Sequence, residues 1–142
     1  MKLKPLTEQQ LDEMLSQPLV AKIATTDAGG EIRMTPIWFA RSDGDIMMNT
    51  FKNSDLVRNL RVNNRCSLMV DSRDWPYYGV HYWGTATVEG PEDDAEGIAK
   101  MFQPYVGTMD EARAYAKGLI SAGRRVYVRF TPSRSVTWDF RE

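Results

Sequence analysis

Residues 19–50 read LVAKIATTDAGGEIRMTPIWFARSDGDIMMNT, and this stretch decides the fold class. Three runs rich in β-branched and aromatic residues, at 19–26, 32–40 and 46–50, are separated by short segments rich in glycine and aspartate. Glycine reaches positive φ freely and aspartate favours tight turns, so each segment reverses the chain. Strands joined by tight turns pair antiparallel, because a parallel pair needs a long crossover. The stretch therefore predicts three consecutive antiparallel strands.

The second of these strands contains Pro36. Proline has no N–H to give to a neighbouring strand, so within sheets it is confined to edges and bulges. We therefore expect residues 32–40 to lie at a sheet edge, at a bulge or where a sheet opens.

Further elements follow the same logic on both sides of this stretch. Thr7 and Gln10 have the spacing of a capping box and predict a first helix that Pro18 ends. Residues 52–63 change to a helical period, with Leu56 and Leu60 on one apolar stripe. Further strands are predicted at residues 66–71, 80–89 and 125–131, and a last short one at 136–140 after a break at Pro132-Ser133.

Two more helices are predicted between residues 91 and 123, the first stopped by Pro104 and the second ended by Gly123. The sum is six or seven strands, mostly joined by short turns. This pattern is typical of a mainly β fold, an antiparallel barrel or sandwich with peripheral helices in one domain over residues 1–142.

Composition excludes several classes of function. The 142 residues carry a formal net charge of −1, which gives no bulk attraction to nucleic acid or to an anionic membrane. No apolar run is long enough for a membrane helix or a signal peptide, so we expect a cytoplasmic protein. A single cysteine, Cys66, and a single histidine, His81, leave no disulfide and no multi-histidine metal site. Walker A and GxGxxG patterns are absent.

After these exclusions, the segment from residue 49 to residue 60 is the part of the sequence that indicates a binding site. It joins a strand end, the polar side chains of Asn49, Thr50 and Ser54, the cation Lys52 and a helix N-terminus, with Arg58 one turn on. Free N–H groups and the positive end of a helix dipole favour a phosphate. The alternative is a capped surface helix whose basic residues are solvated.

At this point the chain resembles a known family. Three segments carry the resemblance: Val20 to Thr26, Thr35-Pro36-Ile37-Trp38-Phe39, and Asn49-Thr50 followed by Val57-Arg58-Asn59-Leu60-Arg61. Further on, Tyr78-Gly79-Val80-His81 and Gly84 to Val88 match the next strand. In order and spacing these motifs look like the pyridoxamine-phosphate-oxidase-like, FMN-binding split-barrel superfamily.

The resemblance implies a split β-barrel that forms a homodimer, with FMN or the deazaflavin F420 in clefts at the interface. Residues 33–38 would lie along the cofactor ring and residues 50–58 would hold its phosphate. Trp75, Tyr77 and Tyr78 would approach from the partner subunit. The candidate cofactor-binding residues are Arg33, Thr35, Pro36, Trp38, Asn49, Thr50, Lys52, Ser54, Arg58 and Asn59.

One position departs from the family pattern. Relatives usually carry a phosphate-binding lysine just before the Val-Arg-Asn-Leu run, where this chain has Leu56 preceded by Asp55. Lys52 and Arg58 are expected to compensate, and Leu56→Lys is expected to tighten cofactor binding if the site is a degraded family site. The basic motifs of true pyridoxamine-phosphate oxidases are absent as well, so that reaction is not assigned.

Three readings of the function remain open from the sequence. One is an oxidoreductase that moves hydride between the bound cofactor and a small flat or unsaturated molecule, with Arg33, Tyr78 or His81 orienting substrate or donating a proton. Another is a binding module without turnover, such as a carrier or sensor of flavin, haem or another tetrapyrrole. An interaction protein with an empty cleft is a third reading.

Overall fold

A computed structural model describes residues 4–142 of the chain. This part of the chain forms seven strands and four helices. The strands are β1 (Val20–Thr26), β2 (Ile32–Trp38), β3 (Ala40–Ser42), β4 (Asp45–Phe51), β5 (Arg65–Asp71), β6 (Tyr78–Glu89) and β7 (Arg125–Asp139). The helices are α1 (Glu8–Leu15), α2 (Asp55–Val62), α3 (Ala95–Val106) and α4 (Met109–Ala122).

The strands form one antiparallel sheet in the order β2-β1-β5-β6-β7-β4-β3. β2 and β3 therefore lie at opposite edges, although only Phe39 separates them in sequence. Because consecutive Cα atoms are about 3.8 Å apart, one residue can join the two edges only if the sheet curls until they meet. The fold is a split β-barrel, which confirms the predicted fold class.

The position of β2 explains Pro36. β2 pairs with β1 on one side and has no strand on its other side, so Pro36 lies at a sheet edge as predicted. The predicted single strand over 32–40 is wrong, since the ladder ends at Trp38 and a new strand begins at Ala40. The interruption is where the chain crosses from one edge of the sheet to the other, and the Phe39 side chain is buried there.

The predicted break at Pro132-Ser133 is a bulge instead. β7 continues through it and pairs with β6 from Tyr127 to Asp139. Trp83 lies opposite Arg134 and Gly84 opposite Pro132, so Ser133 is the extra residue on β7. Gly84 has no room for a Cβ because the Thr131 carbonyl approaches too closely. A bulge bends the strand and keeps the ladder, so one long strand replaces the two that were predicted.

The helices begin much as their sequences predict. Thr7 and Gln10 form the capping box of α1. α3 runs past the predicted stop at Pro104 and ends where Gly107 adopts a φ of 136°. A proline in the last turn removes only one hydrogen bond, so it does not stop the helix. Within residues 4–142, none of the helices combines the length and the apolar character that a bilayer crossing requires.

Two clusters of apolar side chains form the core. The larger fills the barrel and includes Ile23, Met48, Leu68, Val80 and Phe130, with α1 and α2 closing over it. The second lies outside the barrel wall, where α3 and α4 pack on the outer face of β7 and bury Ile98, Phe102, Ala112, Ala116 and Tyr127. Because of these helices, β7 is buried on both faces over residues 125–128.

The Tyr105 hydroxyl fastens the crossing between the two sheet edges. It donates to the Leu19 carbonyl at 2.7 Å and accepts from the Phe39 N–H at 3.2 Å. Its ring stacks on Trp38 with centroids 4.5 Å apart and planes 13° from parallel. Burial raises the pKa of this phenol. One side chain of α3 thus connects the entry to β1 with the exit from β2.

Tyr105→Phe is expected to lower the free energy of unfolding by about 1–3 kcal/mol, because it leaves partly buried backbone groups without a partner. Chemical denaturation measures the change. Tyr115→Phe is the matched control, since its ring is 42% exposed and its hydroxyl makes no hydrogen bond within residues 4–142. An equal loss of stability in both variants would show that the hydroxyl of Tyr105 does not fasten the crossing.

Candidate functional site

An open cleft lies where β2 and β4 face each other across the split of the barrel. Its volume is about 450 Å³, within the usual range for small-molecule sites. Strands β2 and β4 form one side, and α3 and α4 cover the other. We call it the split cleft, and its lining residues are Val20, Pro36, Ile37, Trp38, Asn49, Phe102, Tyr115, Leu119 and Arg125.

The sequence predicts three of these residues, Pro36, Trp38 and Asn49. Trp38 is the centre of an aromatic group: Tyr105 stacks on it, Phe102 meets it edge-on at 5.3 Å and Tyr115 lies 5.9 Å away. The cleft therefore has a large flat wall of the kind that binds a planar ligand.

Arg125 is the charged residue of the cleft that sequence reasoning missed. Its alternation with Val126 and Val128 predicts an outward and therefore solvated side chain, yet Arg125 is only 5% exposed. Its Nε donates to Asn49 Oδ1 at 2.9 Å and its Nη2 to the Asn49 carbonyl at 3.2 Å. Burial lowers the pKa of this guanidinium. The α3–α4 insertion covers the outer face of β7, and no local pattern shows that.

A second feature lies at the other end of β2, where α2 begins. Ser54 is the N-cap of α2 and its side chain accepts from the Val57 N–H. Arg33 of β2 contacts Asp55 at 2.9 Å, and Arg58 pairs with the other oxygen of the same carboxylate. We call Arg33, Ser54, Asp55 and Arg58 the Asp55 corner. Two guanidinium groups share one carboxylate, so the corner keeps a net positive charge beside a helix N-terminus.

The remaining predicted residues have other partners. Lys52 forms an ion pair with Glu92 at 2.6 Å, and its predicted phosphate contact stays a prediction. Asn59 is buried and donates to the Thr25 hydroxyl at 3.2 Å, so it ties α2 to β1. Thr35 and Thr50 are half-buried. Their strands alternate, which places them on the same side as the core residues of the barrel.

Leu56 requires a correction of the sequence-based expectation. The position that carries a lysine in relatives is here 2% exposed and belongs to the barrel core, beside Leu60. Its side chain points inward, away from the Asp55 corner. This burial argues against the expectation that Leu56→Lys tightens cofactor binding. Leu56 and Leu60 lie on one helical stripe, and that stripe faces the barrel.

The outward face of the sheet carries exposed apolar side chains. Met34 is 64% exposed, Ile32 74% and Val136 51%. The register places Met69 of β5, His81 of β6 and Val136 side by side across the same face. We call Ile32, Met34, Met69, His81 and Val136 the outer sheet patch. A surface of this kind is typical of a protein interface.

The lone histidine and the lone cysteine have no partners suited to catalysis. His81 stacks against Trp83 with ring centroids 3.8 Å apart and does not line the split cleft of its own chain. Burial raises the pKa of the Cys66 thiol to about 12, so a thiolate is scarce at neutral pH. In residues 4–142, no group of three or more histidine, cysteine and acidic side chains is arranged to hold a metal ion.

Comparison with solved structures supports the fold. Protein Rv2991 from Mycobacterium tuberculosis, described as a conserved hypothetical protein, superposes with a TM-score of 0.81 at 24% identity over 99% of this chain and 91% of its own. A structure named F420 reductase gives 0.72 at 20% identity over 92% and 98%. The haem storage protein of Vibrio cholerae gives 0.70 at 16% identity over 93% and 94%.

At these identities the likeness extends to the fold and no further. No curated protein matches the chain. Family membership rests on the sequence, because residues 7–139 match the family described as pyridoxamine 5'-phosphate oxidase. This match spans β1 to β7 and includes both the split cleft and the Asp55 corner. The chain therefore belongs to the pyridoxamine 5'-phosphate oxidase family.

Proposed function

We propose that this protein is an oxidoreductase that binds FMN or F420 along the split of the barrel and passes hydride to a small flat molecule. The single observation that carries the proposal is the free edge of β2, which runs from the cationic Asp55 corner at Arg33 to the aromatic split cleft at Trp38. A phosphate-bearing tricyclic cofactor needs a cationic end and a flat wall, and this edge connects one to the other.

The Asp55 corner would hold the phosphate. Arg33 and Arg58 are exposed enough to turn toward a ligand, and the first N–H groups of α2 add donors. Asp55 competes with the phosphate for the two guanidinium groups. The affinity therefore depends on how readily the arginines exchange one carboxylate for a phosphate, which accepts more hydrogen bonds.

The edge of β2 would hold the ring. Because β2 has no strand on that side, the backbone N–H and C=O groups of the edge are free to bind the polar rim of a flavin. Pro36 interrupts the donors at one position and presents an apolar face in the cleft. Trp38 closes the cleft at the far end, which excludes water from one side of the ring.

When bound, a flavin or deazaflavin supplies the hydride chemistry, so no side chain has to act as nucleophile. The residues that line the split cleft include no histidine, cysteine or carboxylate within the described chain. A proton that the product needs would come from solvent or from a partner subunit's residue. Tyr78 and His81 lie outside the cleft of their own chain.

The lack of a histidine, cysteine or carboxylate among the lining residues of the cleft also favours a second candidate, a carrier or sensor that binds its cofactor without turnover. Anaerobic reoxidation separates the two. Protein loaded with reduced cofactor is mixed with a panel of flat unsaturated acceptors, and the absorbance of the oxidised cofactor is followed. If the protein is an oxidoreductase, at least one acceptor reoxidises the bound cofactor faster than it reoxidises free cofactor. Equal rates of reoxidation for bound and free cofactor with every acceptor would favour the carrier or sensor.

We also propose that two copies of the chain form a homodimer. Three side chains of the outer sheet patch, Ile32, Met34 and Val136, are apolar and exposed in one subunit, which supports burial against a second copy of the chain. Trp75 and Tyr77 are exposed beyond β5 and would approach the cleft of the partner, as the family resemblance implies. The cytoplasmic location expected from the sequence stays a prediction.

Met34→Glu is expected to raise the dissociation constant of the dimer at least tenfold, because it places a charge at a 64% exposed apolar position of the outer sheet patch. Sedimentation velocity over a concentration series measures it. Val62→Glu is the matched control, since Val62 is 61% exposed on α2 and lies outside the sheet. A Met34→Glu protein that still sediments as the wild type would mean that the dimer, if it forms, uses another surface.

A further inference from the structure

Arg125 holds a buried positive charge that no carboxylate neutralises. Within residues 4–142 both hydrogen bonds of its guanidinium go to Asn49, a neutral residue. The guanidinium carbon lies 4.5 Å from the centre of the Phe51 ring, which is neutral as well. A buried charge without a counter-charge is costly, and ionisable groups perturbed by burial cluster at functional sites.

Two acidic side chains that lie beside the start of β7, Asp93 and Glu92, are engaged elsewhere. Asp93 accepts the backbone N–H of Arg125 at 2.8 Å rather than its guanidinium. Glu92 lies between Lys52 at 2.6 Å and Arg124 at 3.2 Å, on the exposed side of the strand end. Within the described chain the two hydrogen bonds and the Phe51 ring thus offset part of the cost of burying Arg125, but no carboxylate neutralises its charge.

The surroundings of Arg125 indicate the shape of the missing anion. The guanidinium opens into the split cleft, whose other walls are the rings of Trp38, Phe102 and Tyr115. One face of Trp38 is already covered by Tyr105 at 4.5 Å, which holds the indole in place. A planar guanidinium binds a carboxylate through two parallel hydrogen bonds, and the rings accept a flat apolar body.

We propose that the split cleft selects flat, unsaturated carboxylates, with Arg125 binding the carboxylate and the Trp38 wall packing against the body of the molecule. The proposal deepens the proposed function and rests on it, since it names the substrate class of the same site. The cofactor phosphate occupies the Asp55 corner at the opposite end of β2. The two anions of a reacting complex are therefore bound by different arginines.

The test compares two probes of nearly the same shape, trans-cinnamate and trans-cinnamamide, in which a charged carboxylate is replaced by a neutral amide. Each is titrated into the cofactor-free protein, and the ¹H–¹⁵N signal of the Arg125 Nε is followed by NMR. We expect cinnamate to bind about tenfold more tightly or better, because a charge-assisted bidentate contact replaces a neutral one. Equal affinities of the unaltered protein for the two probes would overturn the proposal, whatever any variant does.

Two variants of Arg125, together with a test of cofactor binding, show whether the preference for cinnamate depends on this residue. Arg125→Gln is expected to bind both probes equally at the affinity of the amide, and Arg125→Lys to keep part of the preference. If the preference persists in folded Arg125→Gln, the carboxylate binds elsewhere and the proposal fails. If instead Arg125→Gln loses FMN or F420, Arg125 belongs to the cofactor site, which overturns the substrate class and leaves the proposed function standing. A preference for cinnamate in a protein that binds neither cofactor would confirm the carboxylate site and refute the oxidoreductase.

Discussion

Leu56→Lys is expected to lower the free energy of unfolding by about 3–4 kcal/mol and to leave cofactor affinity no better than in the wild type. Leu56 is 2% exposed in the barrel core, so a lysine there loses apolar contacts and brings a charge to a place without a partner. Denaturant unfolding followed by tryptophan fluorescence measures the loss.

Val62→Lys provides the matched control on the same helix. Val62 is 61% exposed, and its replacement is expected to change stability by less than about 0.5 kcal/mol. A Leu56→Lys protein that is as stable as Val62→Lys and binds FMN or F420 more tightly than the wild type would contradict this expectation. It would mean that α2 is rotated and that Leu56 does not face the barrel core. The Asp55 corner would then need a new assignment.

Removing a positive charge from the Asp55 corner is expected to weaken cofactor binding, and removing its negative charge is expected to tighten it. Arg33→Gln and Arg58→Gln should each weaken cofactor binding by roughly 10- to 100-fold, because each removes a charge-assisted hydrogen bond to phosphate. Asp55→Asn should tighten binding several-fold, since it removes the carboxylate that both guanidinium groups contact. Fluorescence titration with each cofactor measures all three.

Arg113→Gln serves as the control for a general loss of positive charge. Arg113 is half-exposed on α4 and pairs with Glu96 at 3.0 Å, away from the corner. Its replacement should leave the dissociation constant unchanged. Weaker binding in Asp55→Asn would mean that Asp55 is itself a ligand of the cofactor, and equal effects of Arg58→Gln and Arg113→Gln would leave the corner without a specific role.

Much of the fold follows from local sequence. The turn at Gly29-Gly30, with Gly30 at a φ of 85°, the Thr7 capping box and the alternation of β6 each predict their element directly. The edge position of Pro36 follows from its missing N–H. The predicted strand bounds are wrong where contacts between residues distant in sequence determine where a strand ends. The split into β2 and β3 depends on the closing of the sheet edges, and the bulge at Ser133 depends on pairing with β6.

The site follows from sequence less well, for two physical reasons. Arg125 alternates like a solvated residue, and only the packing of α3 and α4 on β7 buries it. The family pattern suggests a phosphate role at position 56, whereas the helical period that joins Leu56 to Leu60 indicates a core position, and the structure agrees with the period. Local periodicity describes this helix better than analogy does.

The most direct measurement is a side-by-side equilibrium titration of the purified protein with FMN and with F420, read by ligand fluorescence and repeated with Arg58→Gln. We predict micromolar or tighter binding of one cofactor, with one site per chain, and a clear loss in the variant. Absence of binding to both cofactors, or binding that Arg58→Gln leaves unchanged, would contradict the placement of a phosphate-bearing flavin between the Asp55 corner and the split cleft.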